Sequence, residues 1–357
     1  MPRSRELAEF ATSYDSGGSL GFRNRIINGA MVIDQRNAGA SVTITNTSAN
    51  TFMTDRFFVY GSQASKFSAQ QNAGSVTPPA GFTNYLGITS LSAYSITSGD
   101  VFVIGQNIEG FNSSDFAWGT ASAQTITMSF WVRSSLTGTF GGVVRNSANN
   151  RSYPFSYTIS SANTWEQKVI TIAGDTTGTW VTNNGIGLRI HWGLGVGSTT
   201  SGTAGAWSAS EFNSATGATS VVGTNGATFY ITGVQLEAGS VATPFERRDY
   251  GRELIMCQRY CIAQNGAQLF PARGTSTTSV QAGFTTPVAM RAAPSITASV
   301  SATVYSVGGA GVATATLSVA AFYQTGIQIG AAGLSGISDD RAATLIINGI
   351  FVLSAEL

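Results

Sequence analysis

Residues 125–135 read TITMSFWVRSS. Ile126, Met128, Phe130 and Val132 occupy one phase of a period-two alternation, and Thr125, Thr127, Ser129, Trp131 and Arg133 occupy the other. Successive strand residues point to opposite faces, so this is a strand with one apolar, core-directed face. Its other face carries a tryptophan and an arginine among small hydroxyl residues. The same texture extends both ways along the chain: SVTIT (41–45), RFFVYGS (56–62), SYPFSYTIS (152–160), KVITIAG (168–174), GIGLRIHWGLG (185–195) and ATFYITGVQLEAG (227–239). Each run is bounded by Gly, Asn, Ser or Asp, the residues of turns. Strand follows turn follows strand with no alternating helices, which predicts an antiparallel jelly-roll β-sandwich rather than βαβ units.

Composition agrees. Charged residues make up 10% of the 357, against about 25% in an ordinary globular domain. Low charge with abundant Gly, Ser and Thr can signal disorder, but a 43% hydrophobic content with six Trp and twenty Phe supplies a core. The net charge is +1 and no basic run occurs, so nucleic-acid binding lacks its electrostatic basis. No apolar stretch reaches bilayer length and no secretory signal is read at MPRSRELAEF, so no membrane insertion is expected.

The texture changes near residue 244. ATPFERRDYGRELIMCQRYCIAQNG (242–266) is charge-rich, and after Asp249 its Leu254, Cys257, Gln258 and Cys261 fall at helical spacings. Cys257 and Cys261 are expected to be small buried thiols on one helix face, with a two-ligand metal site as the lesser reading. β texture then returns. The expected order is an N-terminal docking peptide (1–24), a jelly-roll β-sandwich (25–248), a helical linker (249–265) and a second, smaller β domain (266–357). Asp339–Asp340 is expected to form a turn before the last strand. In 227–239 the apolar phase slips between Ile231 and Val234, with Gly233 at the slip, which predicts a β-bulge.

Strand phase also selects candidate binding residues. In 185–194, Ile186, Leu188, Ile190, Trp192 and Leu194 are core-directed, and Arg189 and His191 face the other way. If this strand shares a sheet with 125–135, then Trp131, Arg133, Arg189 and His191 line one outward face. An indole offers a flat apolar face to sugar C–H groups, and the polar neighbours can bind hydroxyls. The same residue types are enriched at protein interfaces, so the face is read equally as a subunit contact, a ligand platform or a loop-covered surface.

Catalytic constellations are poorly represented. One histidine, no G-x-S-x-G elbow and no phosphate loop leave little for nucleophilic or phosphoryl chemistry. Asp100, Asp115, Glu166, Asp175 and Glu211 are scattered acids, read as surface turns rather than as a glycosidase pair. No metal site, cofactor or enzymatic activity is expected.

Three stretches resemble virion proteins of tailed bacteriophages described as tail fibres or receptor-binding proteins. They are FRNRIINGAMVIDQRNAG (22–39) with DRF (55–57), GVQLEAGSVATPFERRDYGRELIMCQRY (233–260), and the closing SAEL (354–357). The middle, with SFWVRSS, TWEQKVITIAGDTTGTW and GIGLRIHW, resembles a carbohydrate-binding-module jelly roll. The resemblance implies a non-enzymatic tail fibre or adhesion subunit on the virion exterior, made in the host cytoplasm. It implies a homotrimer that contacts host-surface polysaccharide and joins other tail proteins through residues 1–24. A capsid head-fibre or decoration protein, and a capsular depolymerase, are the alternatives. No sugar-binding motif carries over by position, and QLEAGSVATPFERR reads as structural.

Overall fold

The computed structural model describes residues 22–298, 301–306, 312–313, 316–323, 326–334, 337, 342–349 and 351–357. The docking peptide therefore falls outside the described residues up to position 21, and so does the Asp339–Asp340 turn. The chain divides into two compact units, one running to Arg248 and the other spanning Asp249–Glu356.

The first unit contains strands β1 (Val42–Thr43), β2 (Thr51–Phe52), β3 (Phe58–Gly61), β4 (Phe67–Gln71), β5 (Leu86–Ser90), β6 (Val101–Glu109) and β7 (Ile126–Ser134). They are followed by β8 (Gly138–Arg145), β9 (Ser152–Ile159), β10 (Glu166–Ile172), β11 (Ile186–Val196), β12 (Ser201–Gly202), β13 (Ser214–Ala215) and β14 (Thr228–Ala238). Two six-stranded antiparallel sheets result, ordered β1-β4-β5-β14-β7-β10 and β2-β3-β6-β11-β8-β9. Their inner faces meet in one core in which Phe130, Met128 and Ile231 of the first sheet join Trp192, Ile190 and Phe140 of the second. This is the β-sandwich read from the strand phases. Trp192 is fully buried, and removing that much apolar surface from water contributes about 4–6 kcal/mol.

The phase slip in β14 is a bulge. The β14–β7 register jumps between Thr232 and Gln235, and Gly233 has a φ of 60°. Phe229 and Ile231 before it, and Val234 and Leu236 after it, all reach the core. Past the bulge, Gln235 and Glu237 pair with Ser129 and Thr127 on the outer face of the first sheet, and residues 239–248 fold back upon them. The Glu237 carboxylate accepts from the Thr243 backbone N–H (2.9 Å) and hydroxyl (2.6 Å). Glu246 N–H donates to Gln235 Oε1 at 2.7 Å. The first described residues, Phe22–Asn24, already belong to this arrangement: Asn24 N–H donates to Glu246 Oε2, and the Arg248 guanidinium donates to the Asn24 and Ile26 carbonyls.

In the second unit, Asp249 caps a helix, Tyr250–Gln258, by accepting from Arg252 N–H at 2.9 Å. The helix is shorter than the expected linker. Cys257 lies on it, but Cys261 opens a strand, so the two cysteines do not share a helix face. Tyr260 N–H turns back to the Cys257 carbonyl and ends the helical run between them. Both thiols are buried, and neither forms a disulfide. The strands are β15 (Cys261–Gln264), β16 (Gln268–Ser276), β17 (Ser279–Thr285), β18 (Ser295–Ala298), β19 (Ser301–Ser306), β20 (Val312–Ala313), β21 (Thr316–Tyr323), β22 (Gly326–Ala332), β23 (Ala342–Asn348) and β24 (Phe351–Ser354). They form a three-stranded sheet, β15-β24-β18, and a seven-stranded sheet, β20-β19-β23-β16-β17-β22-β21. Phe270, Leu345, Ile347 and Phe351 are central to its core. Among the described residues no helix is long and apolar enough to cross a membrane.

Candidate functional site

The four residues selected from strand phase do not share a face. Trp131 and Arg133 lie on β7 in the first sheet, and Arg189 and His191 lie on β11 in the second. Both pairs point away from the core, so the sandwich itself separates them. Alternation sets the face of a residue but carries no information about which sheet its strand joins.

On the first sheet, Trp131 is half-buried between Thr232 and Gln167 of the flanking strands. A Cβ at Gly233 would lie 2.6 Å from Phe82 and 3.0 Å from Trp131, so the bulge glycine lets these two rings approach the backbone. Arg133 donates to the Asn163 carbonyl at 2.9 Å and lies over the Tyr230 ring at 5.4 Å. This pair is engaged by its own surroundings.

The second sheet is different. Its outer face bears a groove of about 510 Å³ lined in part by Phe58, Tyr60, Asn107, Arg145, Arg189 and His191. The strand register places these side chains. Gly105 of β6 stands between Phe58 of β3 and His191 of β11. A Cβ on it would meet Phe58 at 2.4 Å and His191 at 2.9 Å. Only glycine lets the two rings meet over it, edge to face, with centroids 5.8 Å apart. One residue pair along, Arg189 stands opposite both Asn107 and Arg145. Beyond the sheet, Asn50, Thr199, Thr200, Glu211 and Asn213 supply loop walls. The Asn213 N–H donates to the Thr200 carbonyl at 2.7 Å and ties that wall together.

The electrostatics follow from burial. His191 is buried, with Nδ1 3.2 Å from Asn213 Oδ1. Desolvation first, then the Arg145 and Arg189 charges, hold its pKa well below 6.5. The neutral ring donates from Nδ1 to Asn213 and keeps Nε2 as an acceptor. Burial also lowers the pKa values of both arginines, while Glu211 opposes that shift in each. Arg145 Nη1 meets Glu211 Oε1 at 2.7 Å.

The other four scattered acids read from the sequence are committed elsewhere. Burial pushes the Asp100 carboxyl up, but donors on Thr97, Ser62 and Tyr94 outweigh it and bring the pKa to about 2. Asp175 is clamped by Arg151 through two 2.7 Å bonds. Glu166 pairs with Lys168, and Asp115 with Arg25. Three tryptophans distant in sequence, Trp118, Trp180 and Trp207, also converge, with centroids 4.7–5.6 Å apart. Each indole N–H donates to a backbone carbonyl, which makes the trio a loop clamp. Among the described residues no group of His, Cys, Asp and Glu is placed to hold a metal ion.

Sequence reasoning missed Phe58, Tyr60, Arg145 and the loop residues. The alternation in RFFVYGS places Phe58 and Tyr60 on one face and was a usable signal. Arg145 ends the strand in TFGGVVRNS, which carries the same signal more weakly because of its glycines. Glu211 and Asn213 come from a loop with no periodicity to read.

The fold and groove define an antiparallel β-sandwich with an outward-facing polar and aromatic groove, joined to a second, smaller β unit. No known sequence family matches the chain, and no curated protein sequence aligns with it significantly. Several solved structures align with the chain at low identity. One is a putative sugar-binding protein from Bacteroides thetaiotaomicron, with 13% identity, a TM-score of 0.36, and 60% of this chain aligned with 100% of that one. Another is the CBM22-1-CBM22-2 tandem domain of Paenibacillus barcinonensis Xyn10C, with 10% identity, a TM-score of 0.29, and coverage of 90% and 99%. A third is the enzymatically active domain of bacteriophage CBA120 tailspike protein 4, with 12% identity and a TM-score of 0.31. That alignment takes in 61% of this chain but 22% of the tailspike chain. Identities and scores this low assign no family.

Proposed function

We propose that this protein is a non-catalytic adhesion subunit of a tailed bacteriophage that binds host-surface glycan through the outer groove of the second sheet. The observation that carries the reading is the composition of that groove. It is concave and presents the half-buried Tyr60 beside the buried Phe58, with amides, hydroxyls, guanidinium groups and a neutral imidazole gathered around them. Aromatic surface takes the C–H faces of a sugar, and the surrounding donors and acceptors take its hydroxyls. A volume of about 510 Å³ falls within the range of about 300–1,000 Å³ usual for ligand sites.

The virion setting rests on the motifs at 22–39 and 233–260, which resemble those of phage tail proteins. In this structure those two motifs clasp one another through Asn24, Glu246 and Arg248, a framework role that leaves the groove free for ligand. A trimer on the virion exterior, attached through the N-terminal segment, completes the reading. Absence of catalysis is supported by the acids: among the described residues Glu211 is the one carboxylate lining the groove, and it is paired with Arg145. A general acid would need a carboxyl pKa raised by its surroundings, whereas Asp100, Glu166 and Asp175 are all held low.

The test is incubation of the purified chain with capsular polysaccharide from candidate hosts. Retention on the polysaccharide without release of oligosaccharide is the expected result. Release of oligosaccharide would overturn the non-catalytic reading and establish a depolymerase. Immunogold labelling of virions separates a tail position from a capsid fibre or decoration protein.

A further inference from the structure

The groove carries an unbalanced charge. Arg145 and Arg189 are direct cross-strand partners on β8 and β11, on the same outer face. Like charges in that relationship repel and destabilise a sheet. Among the described residues lining the groove the one side-chain carboxylate is Glu211, and it bonds Arg145. Among the described residues Arg189 makes no side-chain hydrogen bond or ion pair, and the Nε atoms of both arginines are buried without a hydrogen-bond partner. Asn107 Oδ1 beside them is likewise unpartnered. Partly buried charge without a counter-charge is costly, and its concentration in a concave site marks the place where an anion would repay it.

Resting on the reading that this groove binds glycan, we infer that its ligand is an acidic polysaccharide, with a sugar carboxylate seated between Arg145 and Arg189. A planar carboxylate matches the guanidinium fork and is the ligand for which arginine is best suited. It would supply the charge that Arg189 lacks and donate nothing that competes with the arginines. A neutral sugar would fill the space and leave the imbalance in place. His191 adds no third cation, because its neutral ring offers Nε2 as an acceptor for a hydroxyl. Glu211, whose side chain is 50% exposed, stands as an internal competitor for the same site.

The full chain should be screened on immobilised bacterial capsular polysaccharides of three kinds: uronate-containing, neutral, and neutral with phosphodiester links. Each uronate polymer is accompanied by its carboxyl-reduced form. The expected result is selective binding to a uronate polymer, weakened about tenfold or more by carboxyl reduction and by R189Q. E211Q, which removes the competing carboxylate, should tighten binding to the uronate polymer severalfold, a gain that a merely structural residue would not produce. Should R189Q fail to fold, E211Q and carboxyl reduction still decide. Binding to neutral polymers that is indifferent to carboxyl reduction would overturn the inference while leaving the glycan reading intact. Equal binding to the phosphodiester polymers would overturn the carboxylate assignment. Binding to none of them would remove the glycan reading and this inference with it.

Discussion

Asn24 and Leu236, 212 positions apart in the chain, are joined by a 3.0 Å hydrogen bond from the Leu236 backbone N–H to Asn24 Oδ1. The same amide accepts from Ile26 N–H at 2.9 Å and donates through Nδ2 to the Val234 carbonyl at 3.0 Å. Asn24 is 1% exposed, so water cannot replace these bonds. Asn24→Ala would leave two backbone N–H groups and a carbonyl without partners. The expected loss is about 3 kcal/mol, a fall of roughly 6–12 °C in melting temperature for a unit of this size. Thermal unfolding followed by circular dichroism measures it, and an unchanged melting temperature would show that the clasp is incidental.

Gly233 is the second structural test. A side chain there must adopt a φ of 60° and enter the space held by Phe82 and Trp131. Gly233→Ala should cost about 1–3 kcal/mol, read as a lower denaturant midpoint with an unchanged slope. Adding Phe82→Ala removes the nearer obstruction, so the double variant should lose less than the sum of the two single losses.

These two sites show what the sequence could and could not disclose. The Gly233 bulge was legible because alternation is a local property and its slip is visible in one strand. The inward sets of 125–135 and 185–195 were legible for the same reason. Sheet membership was not, because pairing between strands far apart in the chain leaves no trace in either strand alone. That is why Trp131 and Arg189 were placed together and lie on opposite outer faces. Loop residues such as Glu211 and Asn213 were illegible because only tertiary packing brings them over β11. The helical spacing through Cys261 misled because Tyr260 turns the chain out of the helix one residue earlier.

His191 sets a pH dependence. Its folded-state pKa lies well below 6.5 because of burial and the neighbouring Arg145 on β8 and Arg189 on its own strand. Glu211 on the covering loop offsets those charges in part. Between the folded value and 6.5 the unfolded chain binds the additional proton, so this contribution is fully present above about 6.5 and declines as pH falls. It is the chain's single histidine, and Asp100, held at about 2, titrates only in stronger acid. The melting temperature should therefore fall between about pH 7.5 and about pH 5.5, and His191→Gln should remove most of that difference. A wild-type profile that is flat across the interval would contradict the burial argument.

The trimer is tested by light scattering on the purified full chain at micromolar concentration. A mass near three times 37.1 kDa is expected. A monomer would exclude the trimeric adhesion subunit as drawn.

The central claim is that the groove of the second sheet, and not the Trp131 face of the first, binds glycan. Titration calorimetry with an oligosaccharide selected from the polysaccharide screen measures it on wild type, Tyr60→Ala and Trp131→Ala. The account expects Tyr60→Ala to weaken binding about tenfold or more and Trp131→Ala to match wild type. Loss of binding in Trp131→Ala with Tyr60→Ala unaffected would contradict it and move the site to the opposite sheet.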